Sequence, residues 1–253
     1  MVKTICHPSY SEKQSFINKL VSTFFTEGKT LVKGSRNIIK TFETEAETYN
    51  IKYFKKPSFI KALVYSYFRK SKAQRSFEYA NYLINNKIKT PFPIAFIENR
   101  NFFGILKDSY YVCQHINYDF TIRELIHNPR FENREEILKQ FARFTFQLHE
   151  ANVNFLDHSP GNTLIVKGLD GNYIFYLIDL NRMKFEKLSL EQRLDNFKKM
   201  WLSKTMVLII AEKYAELSGE NGDKVHQILQ QKTSDFKRKI TRKKYLKRKI
   251  RTK

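Results

Sequence analysis

Two β-favouring runs, Thr163 to Lys167 and Tyr173 to Asp179, are joined by a loop containing Leu169-Asp170-Gly171-Asn172, whose Asp-Gly pair suits a tight turn. No other stretch restricts the chain so strongly, because a hairpin returns the backbone to where it began, with paired strands about 5 Å apart. Asn162 precedes the first strand and Asp179 closes the second, so an amide and a carboxylate arrive side by side. Asp157 stands five residues before Asn162, on the loop Phe155-Leu156-Asp157-His158-Ser159-Pro160-Gly161. Two carboxylates and an amide therefore converge at one end of the hairpin. Such hard oxygen donors suit Mg²⁺, which takes one or two protein carboxylates and completes its shell with phosphate oxygens and water. With Asn162 and Asp179 on the metal, Asp157 is left to orient a hydroxyl. Asp and Asn also populate loops for purely local reasons, by bonding to neighbouring backbone. A carboxylate directly after the apolar run Tyr173 to Ile178 nevertheless requires a charged partner.

Ahead of the hairpin the pattern is that of a small α+β lobe. Ile38 to Phe42 and Tyr49 to Phe54 read as antiparallel neighbours, and Ala73, Phe77, Ala80 and Ile84 recur at helical spacing between Ser71 and Asn85. That spacing places Glu78 on the helix, next to an inward aromatic. Further strands are expected at Ile94 to Glu98, Phe102 to Lys107 and Tyr110 to Ile116. The second half turns helical: Ile137, Phe141, Phe144 and Leu148 form one amphipathic stripe, and Phe197 to Leu217 and Lys224 to Gln231 are expected helices. The domains expected are an N-terminal lobe over 1–115, a catalytic lobe over 116–231 and a basic tail over 232–253.

The serial order of these pieces is specific. Asp157-x-x-x-x-Asn162 followed by Ile178-Asp179-Leu180-Asn181 resembles the catalytic loop and metal-binding Asp of protein-kinase-like phosphotransferases. Ile51-Lys52-Tyr53-Phe54 resembles the third-strand Lys motif of that fold, and Glu78 occupies the expected helix position. Taken with Thr90 to Ile97 and Ser109 to Ile116, the chain resembles the Kdo/WaaP lipopolysaccharide kinase family over most of residues 30 to 215. The resemblance implies an α+β, bilobal protein-kinase-like fold and an ATP- and Mg²⁺-dependent sugar kinase. Its acceptor would be an inner-core sugar of lipopolysaccharide, Kdo on lipid A in the first instance and heptose as the alternative. Lys52 would contact the nucleotide phosphates and be held by Glu78, Asp157 would accept the hydroxyl proton, and Asn162 and Asp179 would hold Mg²⁺. Tyr110 to Ile116 would offer backbone to the adenine.

Departures from protein kinases are also visible. Phe155 and Leu156 replace the usual His-Arg, so the Arg that clamps an activation-loop phosphate is missing, and Asn181 replaces the Gly that closes the metal-Asp motif. Only Gly28 and Gly34 lie where a glycine-rich loop is expected, and Gly28-Lys29-Thr30 is no P-loop, because Thr23 stands where that motif needs Gly. These departures keep open a catalytically silent kinase-like module.

The chain of 253 residues has a formal net charge of +21, which implies an anionic partner or surface. From Lys232 to Lys253, twelve Lys and Arg face one acid, Asp235, and Phe236, Ile240, Leu246 and Ile250 interrupt the basic run at loose helical intervals. Such a segment reads as an anchor on an anionic membrane surface, with nucleic acid as the rival partner. Arg182, close to Asp179, is a candidate for an anionic sugar or phosphate. Cys6 and Cys113 are too few for a disulfide framework or zinc module, and the six His carry no ligand pattern. With no signal-like or bilayer-spanning apolar run, the expected location is cytoplasmic, peripheral on the inner face of the inner membrane.

Overall fold

The computed structural model describes residues 1–251, which divide into two compact units. The first comprises Met1–Asn117 together with Asp179–Asn181. In chain order it contains β1 (Val2–Cys6), α1 (Gln14–Ser22), β2 (Lys29–Lys33), β3 (Asn37–Glu43), β4 (Thr48–Phe54), α2 (Phe59–Leu63), α3 (Lys72–Asn85), β5 (Pro93–Arg100) and β6 (Leu106–Gln114). The six strands form one antiparallel sheet in the order β1-β5-β6-β4-β3-β2.

Strand β4 shows how the sheet positions chemistry. Side chains alternate across a strand, so Tyr49, Ile51 and Tyr53 share one face and Lys52 and Phe54 the other. On the first face Tyr49 and Ile51 join the buried cluster of Ile17, Leu20 and Phe24, each fully buried side chain contributing about 1.5–3 kcal/mol. Helix α3 covers the opposite side, where Phe77 meets Phe96 of β5 at 5.5 Å. Ser71 starts α3 by accepting from the Gln74 amide. Lys87, with φ of 61°, ends it, and the Ile88 amide turns back to the Leu83 carbonyl at 2.8 Å. Near the start of the sheet, Gly28 has φ of 80° and sits where a Cβ would lie 2.7 Å from the Phe42 ring, so glycine serves packing there.

Two expected elements are corrected. Phe102 to Lys107 is not a strand: Gly104 at φ of 74° and the Asn101 side chain, which accepts from the Ile105 amide, build a tight turn, and a single strand then runs from Leu106 to Gln114. The proposed helix from Phe197 to Leu217 is broken, because Trp201 adopts φ of 57° and Ser203 caps a new helix by accepting from the Met206 amide.

The second unit takes Tyr118–Ile178 and the chain from Arg182 onward. It contains β7 (Phe120–Thr121), α4 (Ile122–His127), α5 (Arg134–Glu150), β8 (Val153–Phe155), β9 (Thr163–Lys167), β10 (Tyr173–Leu177), β11 (Met183–Phe185), α6 (Leu190–Asp195), α7 (Lys204–Ser218) and α8 (Gly222–Arg251). The hairpin is present, with Tyr173 opposite Lys167 and Leu177 opposite Thr163, and Asp170 and Gly171 both at positive φ in its turn. Helix α8 passes without a break through Lys232, and its side chains are exposed from Thr241 to Ile250. The last two residues of the basic run lie outside the described residues.

Candidate active site

In the first unit, Lys52 extends from the α3 side of the sheet, and its side chain is only 11% exposed. Its ammonium meets Asp179 Oδ1 at 2.5 Å, so the strand Lys and the Asp that follows the hairpin are brought together. Asp179 has φ of 59°, a left-handed backbone that a non-glycine residue adopts at a cost of about 1–3 kcal/mol. Asn181 Nδ2 donates to the same Oδ1 at 2.7 Å, while the Asn181 carbonyl accepts from buried Arg75 of α3 at 2.7 Å. Lys72 of α3 is held below the usual amine range, first by burial and then by the charges of Arg36, Arg75 and Lys52, with Asp179 acting in the opposite sense. Lys52 and Lys72 thus share one carboxylate, with Arg75 bonded to the neighbouring Asn181 carbonyl, an excess of positive charge suited to a polyanion.

Glu78 is not brought to Lys52. It accepts from Lys70 at 2.8 Å and from Gln74 at 3.0 Å, which corrects the expected pairing. Gln74 lies one turn earlier on the same stripe, and Lys70 precedes the helix on that side. Arg75, three residues earlier and offset by about one-sixth of a turn, is the residue through which α3 bonds to the Asp179 segment. The Lys70–Glu78 pair is largely exposed and contributes under about 1 kcal/mol, so it holds Glu78 only weakly. Of the stretch expected to meet adenine, Tyr110 to Gln114 belongs to β6, whose backbone pairs on both sides with β4 and β5, and the His115 amide bonds to Thr48.

In the second unit, Asp157 follows β8. Lys199 Nζ donates to Asp157 Oδ1 at 3.2 Å and to the Leu156 carbonyl at 2.5 Å, and Arg182 lies 3.5 Å from Oδ2. Pairing of β8 with β11 sets Phe155 opposite Met183, and the Leu156 amide bonds to the Arg182 carbonyl at 3.0 Å. The stretch from Arg182 to Leu188 is consequently short and tied down before Ser189 caps α6. Asn162 Nδ2 donates to the Asp157 carbonyl at 2.8 Å, which fixes the amide and turns its Oδ1 away from that bond. Its own carbonyl accepts from Ile178, the last residue before Asp179, at 3.0 Å. Lys199 was not legible as a site residue; one Lys of a Lys198-Lys199 pair carries no local signal.

Two buried histidines brace this loop. Asn196 donates from Nδ2 to Asn154 Oδ1 and the Phe155 carbonyl, so its Oδ1 is the acceptor and the His158 Nδ1 bonded to it at 3.1 Å carries the proton. His149 bonds to the Tyr214 hydroxyl at 2.8 Å. Burial pushes His158 down to about 4 and His149 down to about 3. Both rings are neutral in the folded chain, whereas the unfolded chain protonates them below about pH 6.5. Stability therefore rises with pH between these values and falls on acidification, by about 1.4 kcal/mol per pH unit for each ring. Denaturant midpoints measured between pH 6.5 and 4 should show this slope, and His158→Gln should remove a large part of it. A pH-independent midpoint would contradict neutral, buried rings.

Among the described residues no group of three or more His, Cys, Asp or Glu is placed to hold a metal ion. The donors offered are single: the Asp179 carboxylate, whose two bonds both fall on Oδ1, and the Asn162 amide oxygen. Each taken by itself, a carboxylate and an amide oxygen are the hard donors that Mg²⁺ accepts, with phosphates and waters supplying the rest of its ligands. No helix among the described residues is long and apolar enough to cross a membrane.

Comparison with known proteins bears on the family and the fold. The sequence profile described as "Lipopolysaccharide kinase (Kdo/WaaP) family" matches residues 27–232. Among solved structures, one described as WaaP in complex with acyl carrier protein superposes with a TM-score of 0.67 at 13% identity, covering 95% of this chain and 98% of that one. At that identity the likeness establishes the fold, which is kinase-like. A comparison with curated protein sequences found no match.

Proposed function

The chain belongs to the lipopolysaccharide kinase (Kdo/WaaP) family, a family of lipopolysaccharide-core phosphotransferases, and from that premise we propose that it transfers the γ-phosphoryl group of ATP to a hydroxyl of a Kdo residue on lipid A. The observation that carries this reading is Asp157, a carboxylate on a braced loop, set between Lys199 and Arg182. A carboxylate so placed accepts the proton of the acceptor hydroxyl as that oxygen attacks phosphorus; the bond to the bridging oxygen breaks, and ADP leaves. Lys52, with Lys72 and Arg75 behind it, binds the nucleotide phosphates. Asp179 and Asn162 would hold Mg²⁺, which when bound neutralises charge on the phosphate oxygens. On nucleotide binding, Lys52 exchanges Asp179 for phosphate.

Two cations beside the catalytic carboxylate favour an acidic acceptor, which supports Kdo over the neutral heptose. Incubation of the protein with γ-labelled ATP, Mg²⁺ and Kdo-lipid A should label the sugar, and mass spectrometry of core glycolipid from cells lacking the protein should show one phosphate fewer. Label moving only to a heptose-bearing core would replace Kdo by heptose. ATP binding without transfer to any glycolipid would leave a silent module. We further propose that the basic part of α8 holds the enzyme at an anionic leaflet, each nearby Lys or Arg contributing about 1 kcal/mol.

A further inference from the structure

The first unit carries a surface that the proposed phosphotransfer does not use. Phe102 and Phe103, at 88% and 74% exposure, project from the β5–β6 turn, and Phe68 and Tyr67, at 86% and 64%, project from the π-helical turn Val64–Phe68 that follows α2. The two segments are joined: the Tyr67 hydroxyl donates to the Phe103 carbonyl at 3.2 Å, and the Leu106 amide donates to the Ser66 hydroxyl at 2.9 Å. The rings are not on slack chain. Arg100 donates to the Gly104 carbonyl at 2.8 Å, Asn101 accepts from the Ile105 amide at 2.8 Å, and Gly104 supplies the left-handed residue of the turn. Burying these aromatic faces nowhere in the unit, yet fixing the backbone beneath them, is costly in water unless another phase receives them.

Charge identifies that phase. From Thr48 to Phe77 the sequence contains eight Lys and Arg and no Asp or Glu, and of these Lys55, Lys56, Lys61 and Arg69 are exposed and outside the nucleotide site. Lys61 and Arg69 are exposed on the same segment as Tyr67 and Phe68, and Lys107 is exposed beside the turn. The nearby acids are already occupied: Glu98 is buried against Arg100 at 2.8 Å, and Asp108 accepts from Asn99 at 2.7 Å. Glu78 is engaged with Lys70. An aromatic tip flanked along the chain by exposed cations, its neighbouring acids engaged, matches the headgroup layer of an anionic bilayer, where aromatic side chains settle at the interface and Lys and Arg meet lipid phosphates.

We infer that Phe102, Phe103, Tyr67 and Phe68 form a membrane-insertion surface that seats the first unit in the interfacial layer of an anionic bilayer. It is separate in sequence from α8 and differs from it in kind, since apolar insertion resists salt whereas attraction by a basic helix is screened. The full chain is mixed with vesicles of phosphatidylcholine and phosphatidylglycerol, without ATP or glycolipid, so the outcome is independent of the kinase reading. Phe102→Ser with Phe103→Ser should weaken partitioning at high salt by about tenfold or more, a decade of affinity being readily reached by two rings. Phe102→Trp should give vesicle-dependent blue-shifted emission, quenched by brominated lipid, beyond the signal of the native Trp201. Unchanged high-salt binding of the double variant overturns the inference, as does unshifted emission of the Trp variant. A wild-type dimer that the double variant dissociates also overturns it, by making the surface a contact between copies.

Discussion

Asp157→Asn is expected to reduce phosphoryl transfer by about 10³-fold, within the range set by losing a positioned general base, while leaving the affinity for ATP nearly unchanged. The substitution keeps the shape of the side chain and an oxygen for Lys199, and it removes only the capacity to take a proton. Fold stability should change by less than about 1 kcal/mol, because the carboxylate's partners are partly exposed ion pairs. Initial rates with γ-labelled ATP and Kdo-lipid A, together with a thermal melt, separate the two effects. A variant that retains a tenth of the wild-type rate would show that Asp157 is not the base.

The second large effect is expected at Asp179. Asp179→Asn should abolish the Mg²⁺-dependent part of ATP binding, lowering affinity for the magnesium nucleotide by about 10³-fold, equivalent to about 4 kcal/mol. It should also leave Lys52, now without its 2.5 Å carboxylate partner, facing Lys72 and Arg75 with less compensation. The readout is the melting temperature with ATP alone and with ATP plus Mg²⁺. The wild-type protein should gain stability from the metal-bound nucleotide as ligand binding to the folded state requires, and the variant should gain no more than with ATP alone. An equal Mg²⁺-dependent gain in both proteins would remove Asp179 from the nucleotide site.

Much of this architecture was legible because period and turn chemistry are local. The alternation in β4 and the Asp-Gly turn between β9 and β10 write the positions of Lys52, Asn162 and Asp179 directly into the chain. Helical spacing marks α3 but fixes its rotation only coarsely, and a helix places residues three apart about one-sixth of a turn from each other. That difference decides that Arg75, and not Glu78, reaches Asn181. Phe102 to Lys107 reads as a strand by composition, yet the Asn101 cap and Gly104 outweigh two aromatic residues that gain nothing by pairing. Ser203, inside the expected helix Phe197 to Leu217, is a cap signal that could have divided it. Lys199 and Lys72 had no such signal, since a long flexible ammonium shows its role only through what the fold sets within its reach.

Helix α8 carries a last consequence. Its 30 residues form one element about 45 Å long, and a rod of that length does not sample many end-to-end distances as a coil would. On the proposed reading, with its basic end on headgroups, it would act as a gauge: the height of the second unit above the lipid would be set in steps of residues. Inserting or deleting one helical turn would move that height by about 5.4 Å, and an acceptor sugar tethered to its lipid would fall out of register.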